Sequence, residues 1–504
     1  MLATAHTACL VGIEARLVQV EVRIGEGLPG FDIVGLPERA VRESRIRVRA
    51  ALAAIGFAFP PRHLVLNLAP GDLRKTGAGL DVSVAVSVLV ACGGASGARL
   101  QTTMLIGELS LSGELRPVRG VLPLLRGAQR GGFVHAIVPA GNAREAPLVE
   151  GLSVLQATHI GQVVAWLNGE DDALGVAETN PAGGGTSVAS KPVRATCDLS
   201  VVRGQSTAKR ALEIAAAGSH HMLLVGSPGA GKTMLARALP SILPPPSRPD
   251  ALEIATIAST AGVGDAEVLA GLRRPFRAPH HTASATAIAG GGDPIQAGEI
   301  TLAHRGVLFL DELLEFRRDA IETLRTTMEE GEVVISRARQ RVRLPAAPLV
   351  VAAMNPCPCG YHGDPTRFCG CGPAQVARYR SRVSGPLLDR FDLQVAVPRV
   401  SANTMRKAAP GEPSAVVAGR VIAAQSRLSD GGPRSTLEQL TRGVAPSALQ
   451  LLESGVERLQ MSARAYVKAL RIAHTIAALD ESDTVAARHT AEALQYRVLD
   501  RKAA

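Results

Sequence analysis

The sequence predicts an α/β protein: a parallel-sheet core, preceded by a separate α+β domain and followed by a helical segment. Three observations carry this. The glycine-rich stretch GSPGAGKT (226–233) follows four apolar residues, 222–225, and precedes a helical pattern. Two more apolar runs, GVLFLDE (306–312) and LVVAAMNP (349–356), end in polar residues, as buried parallel strands facing a ligand do. After about residue 400 the strand signals fade, and 412–428, 446–460, 463–479 and 484–499 carry helical periodicity.

A chain of 504 residues is too long for one ordinary core. The segment ETNPAGGGTSVAS (178–190) is small, polar and glycine-rich, with too little apolar surface to pack, and reads as a linker. The expected division is an N-terminal domain at 1–168, a linker at 169–192, a core at 193–400 and a helical domain at 401–504. In the first domain LVLNLAP (64–70) and AIVPA (136–140) read as strands, and GLDVSVAVSVLVACGG (79–94) as a small-residue helix. The proline-rich PSILPPPSRP (240–249) reads as the end of a helix within the core.

Apolar residues make up 46% and charged residues 20%, and no run reaches the ~18 uninterrupted apolar residues of a spanning helix, which excludes a membrane protein. The first residues break their apolar run with Glu14 and Arg16 and lack a basic start, so the expected location is the cytoplasm. The net charge is +10, and much of it is local: residues 331–390 hold nine arginines against Glu332, Asp364 and Asp389, an excess of +6. Such a segment suits a polyanionic partner, with a solvated face as the plainer alternative.

In the 226–233 stretch, Gly226, Gly229 and Gly231 let backbone amides point inward around a β-phosphate, with Ser227, Pro228 and Ala230 completing the expected ATP-binding loop; Lys232 is expected to reach the β- and γ-phosphates, and the Thr233 hydroxyl to ligate Mg²⁺. Asp311 holds the Mg²⁺ through water, Glu312 orients or deprotonates the attacking water, and Asn355 contacts the γ-phosphate or that water. The expected cofactors are ATP and Mg²⁺. SGPLLDRFDL (384–393) presents Arg390 for the γ-phosphate of a neighbouring subunit, and Arg464 near the start of a lid helix is placed to sense nucleotide.

The order GSPGAGKT, LFLDE, MNP, LLDRFD, SARA resembles an AAA+ ATPase, and FRAPHHTASATAIAGGGDPIQAGEITLAHRGVLFLDE (276–312) resembles the magnesium chelatase branch. The resemblance spans about residues 190–500 and implies a helical lid, a hexameric ring, an insertion in the second core helix around 280–300 and a hairpin before the sensor strand. GEVVISRARQRVRLPA (331–346) fits that hairpin. In related ring helicases such hairpins line the pore, so Arg337, Arg339, Arg341 and Arg343 are the expected DNA contacts, a solvated strand face being the alternative. His280, His281 and His304 are expected to shape the insertion rather than to bind metal.

Residues 1 to about 165 resemble a Lon-protease-like domain through NLAPGDLRKTGAGLDVSVAVSVLVA (67–91) and GELSLSGELRPVRGVLPLLRGAQRGGF (107–133). The serine and lysine positions of a peptidase dyad fall at Gly79 and Leu122, neither of which does that chemistry, so the domain is expected to be an inactive scaffold. Ser83, Ser87 and nearby Lys75 leave a displaced dyad as the alternative.

Within the insertion 354–372, Cys357, Cys359, Cys369 and Cys371 form two CxC pairs in a chain otherwise poor in cysteine. Four soft ligands suit a structural Zn²⁺, with His362 as a substitute ligand and a reversible disulfide as the other reading. The Lon-like domain, the chelatase-type motor and this CPCGY segment together resemble the ComM (YifB) family over nearly the full chain. That resemblance implies a hexameric ATP-driven DNA helicase that migrates branches while incoming DNA is integrated in natural transformation, acting on single-stranded or branched DNA with recombination proteins as partners. The rival reading is a chelatase-type remodeller of a protein partner that does not act on DNA.

Overall fold

The computed structural model describes residues 2–77, 79–177, 197–263, 266–269, 272–293, 295–337, 340–364, 366–407, 409–428 and 436–497. It forms two compact units, one of residues 1–187 with 248–272, the other of 188–247 with 273–504.

The first unit is built on an eight-stranded mixed sheet. The expected strands and helix appear at His63–Ala69, His135–Pro139 and Asp81–Ala91. Strand alternation divides the apolar residues between two layers. Leu105, Ile137 and Leu155 pack with the helices Arg39–Ala54 and Asp81–Ala91, while Met104, Ala136, Val138 and Val154 pack with Val121–Arg130.

Two boundaries differ from the sequence reading. The sequence starts the linker at 169, yet Gly175 and Val176 pair with Gln156 and Leu155 and extend the sheet. The sequence also assigns residues 248–272 to the core, whereas they belong to the first unit. The physical reason is the helix Arg248–Ala261: Ala255 lies in the same buried cluster as Leu122 and Leu125, and the Ser259 carbonyl accepts from Gly120 N at 2.9 Å. The proposed linker 178–190 lies outside the described residues.

The peptidase positions carry no dyad. Leu122 is fully buried. The Ser83 hydroxyl donates to the Leu80 carbonyl at 2.7 Å, that of Ser87 to the Ser83 carbonyl at 2.8 Å, and buried Lys75 donates to the Pro70 carbonyl.

The second unit holds a five-stranded parallel sheet in the order Phe276–Arg277, Val307–Leu310, Leu349–Met354, Met222–Val225, Leu393–Ala396. The three central strands are buried on both faces, which is why each reads as a continuous apolar run rather than an alternating one. Helix Ser206–Gly218 packs Ala211, Leu212 and Ala215 into the same core as Met222, Leu224, Val351 and Ala353.

The helical C-terminal segment forms as expected, with helices Ser414–Arg427, Pro446–Leu459, Ala463–Leu479 and Ala487–Gln495. Ile472 and Ile476 join the core cluster. Arg210 of the core fastens this lid through Asp480 at 2.7 Å and Glu492 at 3.1 Å. The insertion is also present: helix Ala285–Ala289 and helix Glu299–Leu302 flank a two-stranded ribbon that pairs Gly290 with Ala297 and Gly291 with Gln296.

Candidate nucleotide site and its cysteine loop

Parallel strands gather the polar residues that follow them at one edge of the sheet. Here the edge holds a cavity of about 420 Å³ lined by residues 228–234, Asp311, Glu312, Met354 and Asn355. Gly226 is required by close approach, because a Cβ there would lie 2.2 Å from the Val397 carbonyl oxygen. Gly231, at φ +92°, precedes the helix Lys232–Ala238 in a left-handed conformation open to glycine.

Lys232 is 9% exposed, and its ammonium donates to the Gly226 carbonyl at 2.6 Å, to the Ser227 carbonyl at 3.1 Å and to Asn355 Oδ1 at 3.2 Å. Burial lowers its pKa, with Asp311 and Glu312 opposing the shift. The Thr233 hydroxyl donates to Asp311 Oδ2 at 2.8 Å, so the hydroxyl and carboxylate expected to serve one Mg²⁺ are adjacent. Glu312 stands at φ +53°, the left-handed region, and its Oε2 lies 3.3 Å from His281 Nδ1. The structure therefore brings Lys232, Thr233, Asp311, Glu312 and Asn355 together.

His281 is the residue that sequence reasoning assigned elsewhere. It follows the edge strand Phe276–Arg277, whose neighbour Val307–Leu310 ends two residues before Glu312, so it arrives beside the acid. Its ring lies 4.1 Å from that of His280, which meets the Thr282 hydroxyl at 2.8 Å. His304 has a structural place, accepting from the Ala347 amide at 3.0 Å.

The two arginines converge on one carboxylate. Arg390 is 7% exposed; its Nε donates to the Arg325 carbonyl at 2.9 Å, its Nη1 to the Pro386 carbonyl, and its Nη2 meets Glu329 at 2.6 Å. Arg464 Nη1 reaches the same Glu329 oxygen at 3.4 Å. The hydrogen bond from Arg390, with Arg464 adding, holds the Glu329 carboxyl below its usual value. The sequence offers Arg390 to a neighbouring subunit; in this chain its guanidinium is turned inward, and a reach in trans requires these contacts to open.

Strands Glu332–Arg337 and Gln340–Pro345 pair antiparallel, Ile335 opposite Val342 and Ser336 opposite Arg341. Val333, Ile335, Val342 and Leu344 are buried, which turns Arg341 and Arg343 to the exposed face. Arg343 pairs with Glu332 at 2.8 Å. The side chain of Arg337, and Arg339 altogether, lie outside the described residues.

Immediately after Asn355 the chain enters the cysteine loop. Sγ of Cys357 lies 3.3 Å from that of Cys359 and 3.7 Å from that of Cys369, Cys359 and Cys369 are 3.5 Å apart, and all four sulfurs lie within 4.8 Å of one another. Tetrahedral zinc at ~2.3 Å from each sulfur needs sulfurs ~3.8 Å apart, so the donor set fits in number, softness and spacing. A hydrogen bond from the Tyr361 amide, then one from Cys357, lower the Cys359 thiol to about 6, while Cys369 and Cys371, facing it, are raised, so one thiolate is shared by the cluster. His362 contributes its amide, which donates to Cys357 Sγ at 3.3 Å.

Comparison with known proteins matches three segments of the chain. Families described as "Magnesium chelatase, subunit ChlI", "Subunit ChlI of Mg-chelatase" and "Magnesium chelatase, subunit ChlI C-terminal" match residues 198–405, 20–142 and 411–497. The YifB protein of Salmonella typhimurium is 41% identical over 511 residues, 99% of this chain and 98% of that one. The competence protein ComM of Haemophilus influenzae is 39% identical over 508 residues, 99% of this chain and 98% of that one. A probable DNA helicase MCM9 of Arabidopsis thaliana is 28% identical over 177 residues, 35% of this chain and 22% of that one. With relatives aligned from end to end and all three family segments in place, the chain belongs to the ComM/YifB family of magnesium-chelatase-like AAA+ proteins.

Proposed function

We propose that this chain is an ATP hydrolase that works as a hexameric DNA translocase, promoting branch migration while DNA is integrated in natural transformation or recombination. One observation carries the reading: helix Arg318–Glu330 starts six residues beyond Glu312 and runs directly into the hairpin whose exposed face bears Arg341 and Arg343. A change at the γ-phosphate thus has a short, rigid path to a basic surface. The names of two relatives, a competence protein and a probable DNA helicase, support the choice of DNA.

In this reading the loop 226–231 cradles the phosphates through the backbone amides it leaves free around its glycines, and Lys232 neutralises the β- and γ-phosphates. Thr233 and Asp311 hold Mg²⁺, which supplies charge neutralisation on the phosphates. Glu312 orients the attacking water and accepts its proton; Asn355 fixes the γ-phosphate or that water. Arg390 and Arg464 leave Glu329 to meet developing charge, Arg390 in a neighbouring subunit. Arg337, Arg339, Arg341 and Arg343 contact DNA phosphates, single-stranded or branched. Cys357, Cys359, Cys369 and Cys371 hold a structural Zn²⁺, and the reduced cluster suits the cytoplasm. Recombination proteins are the expected partners. The family's chelatase descriptions favour a second reading, ATP-driven remodelling of a protein partner without DNA.

The deciding experiment is steady-state ATP turnover with and without single-stranded and branched DNA. Turnover should rise with DNA, fall by about 100-fold or more in Glu312→Gln with nucleotide binding kept, and lose its DNA response in the Arg341→Ala, Arg343→Ala double variant. Turnover indifferent to every DNA would transfer the reading to the protein remodeller.

A further inference from the structure

The cysteine loop lies directly on the phosphate loop. Gly360, at φ +84°, is set by a turn in which its amide donates to the Cys357 carbonyl at 3.0 Å. A Cβ on Gly360 would stand 2.7 Å from Pro228 Cδ and 2.8 Å from Pro228 Cγ, with Asn355 Cγ 3.9 Å away. Hence the backbone three residues beyond the first cysteine rests against the tip of the phosphate loop with no room for a methyl group. The same segment grips that loop through side chains: Asn355, two residues before Cys357, accepts from Lys232 at 3.2 Å. Asp364 anchors the far end, its Oδ1 accepting from the Thr366 hydroxyl at 2.7 Å and from the Thr366 amide at 2.8 Å. Those bonds hold its carboxyl at about 2.

Residues 355–372 contain no helix or strand among the described residues. Their order therefore depends on few contacts, and the sulfur cluster is the centre of them. Cys357 is fully buried, and its sulfur accepts from the His362 amide at 3.3 Å, closing the loop on itself. Beyond the cluster, Arg380 Nε donates to the Pro356 carbonyl at 3.2 Å. A dication would hold four thiols at these separations; without one, a segment of irregular backbone gains conformational entropy with each residue released. Pro228 and Asn355 would then lose their support, and nucleotide would have to order them as it binds.

We propose that metal at Cys357, Cys359, Cys369 and Cys371 clamps the phosphate loop, so that nucleotide affinity and metal affinity are thermodynamically linked. The inference rests on the zinc reading above and adds a role to it. The ligand on one side is a thiophilic divalent cation, on the other a nucleoside di- or triphosphate. Linkage is reciprocal: whatever factor the metal contributes to nucleotide affinity, nucleotide returns to metal affinity.

The test uses the full chain. Zinc content is measured on the purified protein, and the affinity for a fluorescent ADP analogue is compared between metal-loaded protein, the Cys371→Ser variant and Gly360→Ala. Loaded protein should bind the analogue about 5-fold or more tightly than Cys371→Ser, within the usual range of coupling. Gly360→Ala should weaken the analogue while retaining its zinc, which separates the clamp from general loss of the loop. Release of zinc to a chromophoric chelator should slow by a similar factor when the analogue is saturating. Equal affinities for the analogue in zinc-loaded protein, in Cys371→Ser stripped of zinc and in Gly360→Ala, or zinc release indifferent to nucleotide, overturns the linkage and leaves the metal site standing. A chain that neither carries nor takes up zinc overturns the metal reading and the clamp with it.

Discussion

Glu312 and His281 show how much of a site depends on one pair of side chains. Glu312 is about half exposed and stands on a left-handed backbone, so its carboxylate is free to rotate unless something holds it. His281 Nδ1, 3.3 Å away, holds one oxygen and leaves the other for a water. A misplacement of about 1 Å in a positioned group costs up to about 100-fold. His281→Ala should therefore lower turnover by about 10-fold or more with nucleotide affinity unchanged. His281→Asn, whose amide nitrogen occupies nearly the same place, should restore part of it. A double variant with Glu312→Gln that turns over no more slowly than Glu312→Gln alone would complete the case; additive losses would sink it. The sequence made Lys232, Thr233, Asp311, Glu312 and Asn355 legible, because strand, loop and helix spacing is local. His281 was not legible, since its meeting with Glu312 depends on which strand lies beside Val307–Leu310. Glu329 was missed for the same reason: its two arginines come from different elements far along the chain.

At the scale of elements, the hairpin was readable and its polarity was only half so. Alternate arginines pointed to one face, and burial of Val342 and Leu344 gives that face its direction. What the pattern did not carry is the pairing of Arg343 with Glu332, which neutralises one of the two described exposed arginines. If DNA phosphates meet this face, each free arginine releases about one counterion on binding. Arg341→Ala should thus reduce the slope of log affinity against log salt by about 1, and Arg343→Ala by less. Equal slopes for wild type and Arg341→Ala, from filter or fluorescence titrations at several salt concentrations, would remove this strand from the interface. The helix Arg248–Ala261 was the least legible element. Its proline-flanked start reads as part of the core, whereas Ala255 and Ser259 complete the first unit across a gap in sequence that no local pattern reports.

Across the second unit as a whole, a buried polar cluster joins the sheet to the lid and sets how the unit responds to acid. His221 accepts from the Val350 amide at 3.1 Å through Nδ1, and its own amide donates to Asp392 at 2.9 Å. Lys468 of the lid meets Asp392 at 2.9 Å, and His220 meets Thr475 of the same lid helix at 2.8 Å. Burial pushes His221 down to about 4 and lowers His220 as well, although Asp392 pulls both the other way. Burial raises Asp392, and Lys468 and the two histidines outweigh it, so its net shift is downward. For a histidine lowered from 6.5 to about 4, the unfolded chain binds a proton between those values while the folded chain does not. Stability then falls as pH drops below about 6.5, by about 1.4 kcal/mol per pH unit for one such group. Asp392 acts in the same direction but only below the ordinary carboxylate range, so the window between pH 6.5 and 5 belongs to histidines. His489, lowered mainly by burial, adds to that window, which makes a variant necessary to isolate His221. Thermal unfolding of the second unit at pH 7.5, 6.5 and 5.5 should show midpoints falling through the last step by several degrees. His221→Asn keeps an acceptor for the Val350 amide near the place of Nδ1 and has no proton to gain, so its midpoint should fall less over that step. Equal falls in both proteins would show that the cluster between sheet and lid does not govern the acid response.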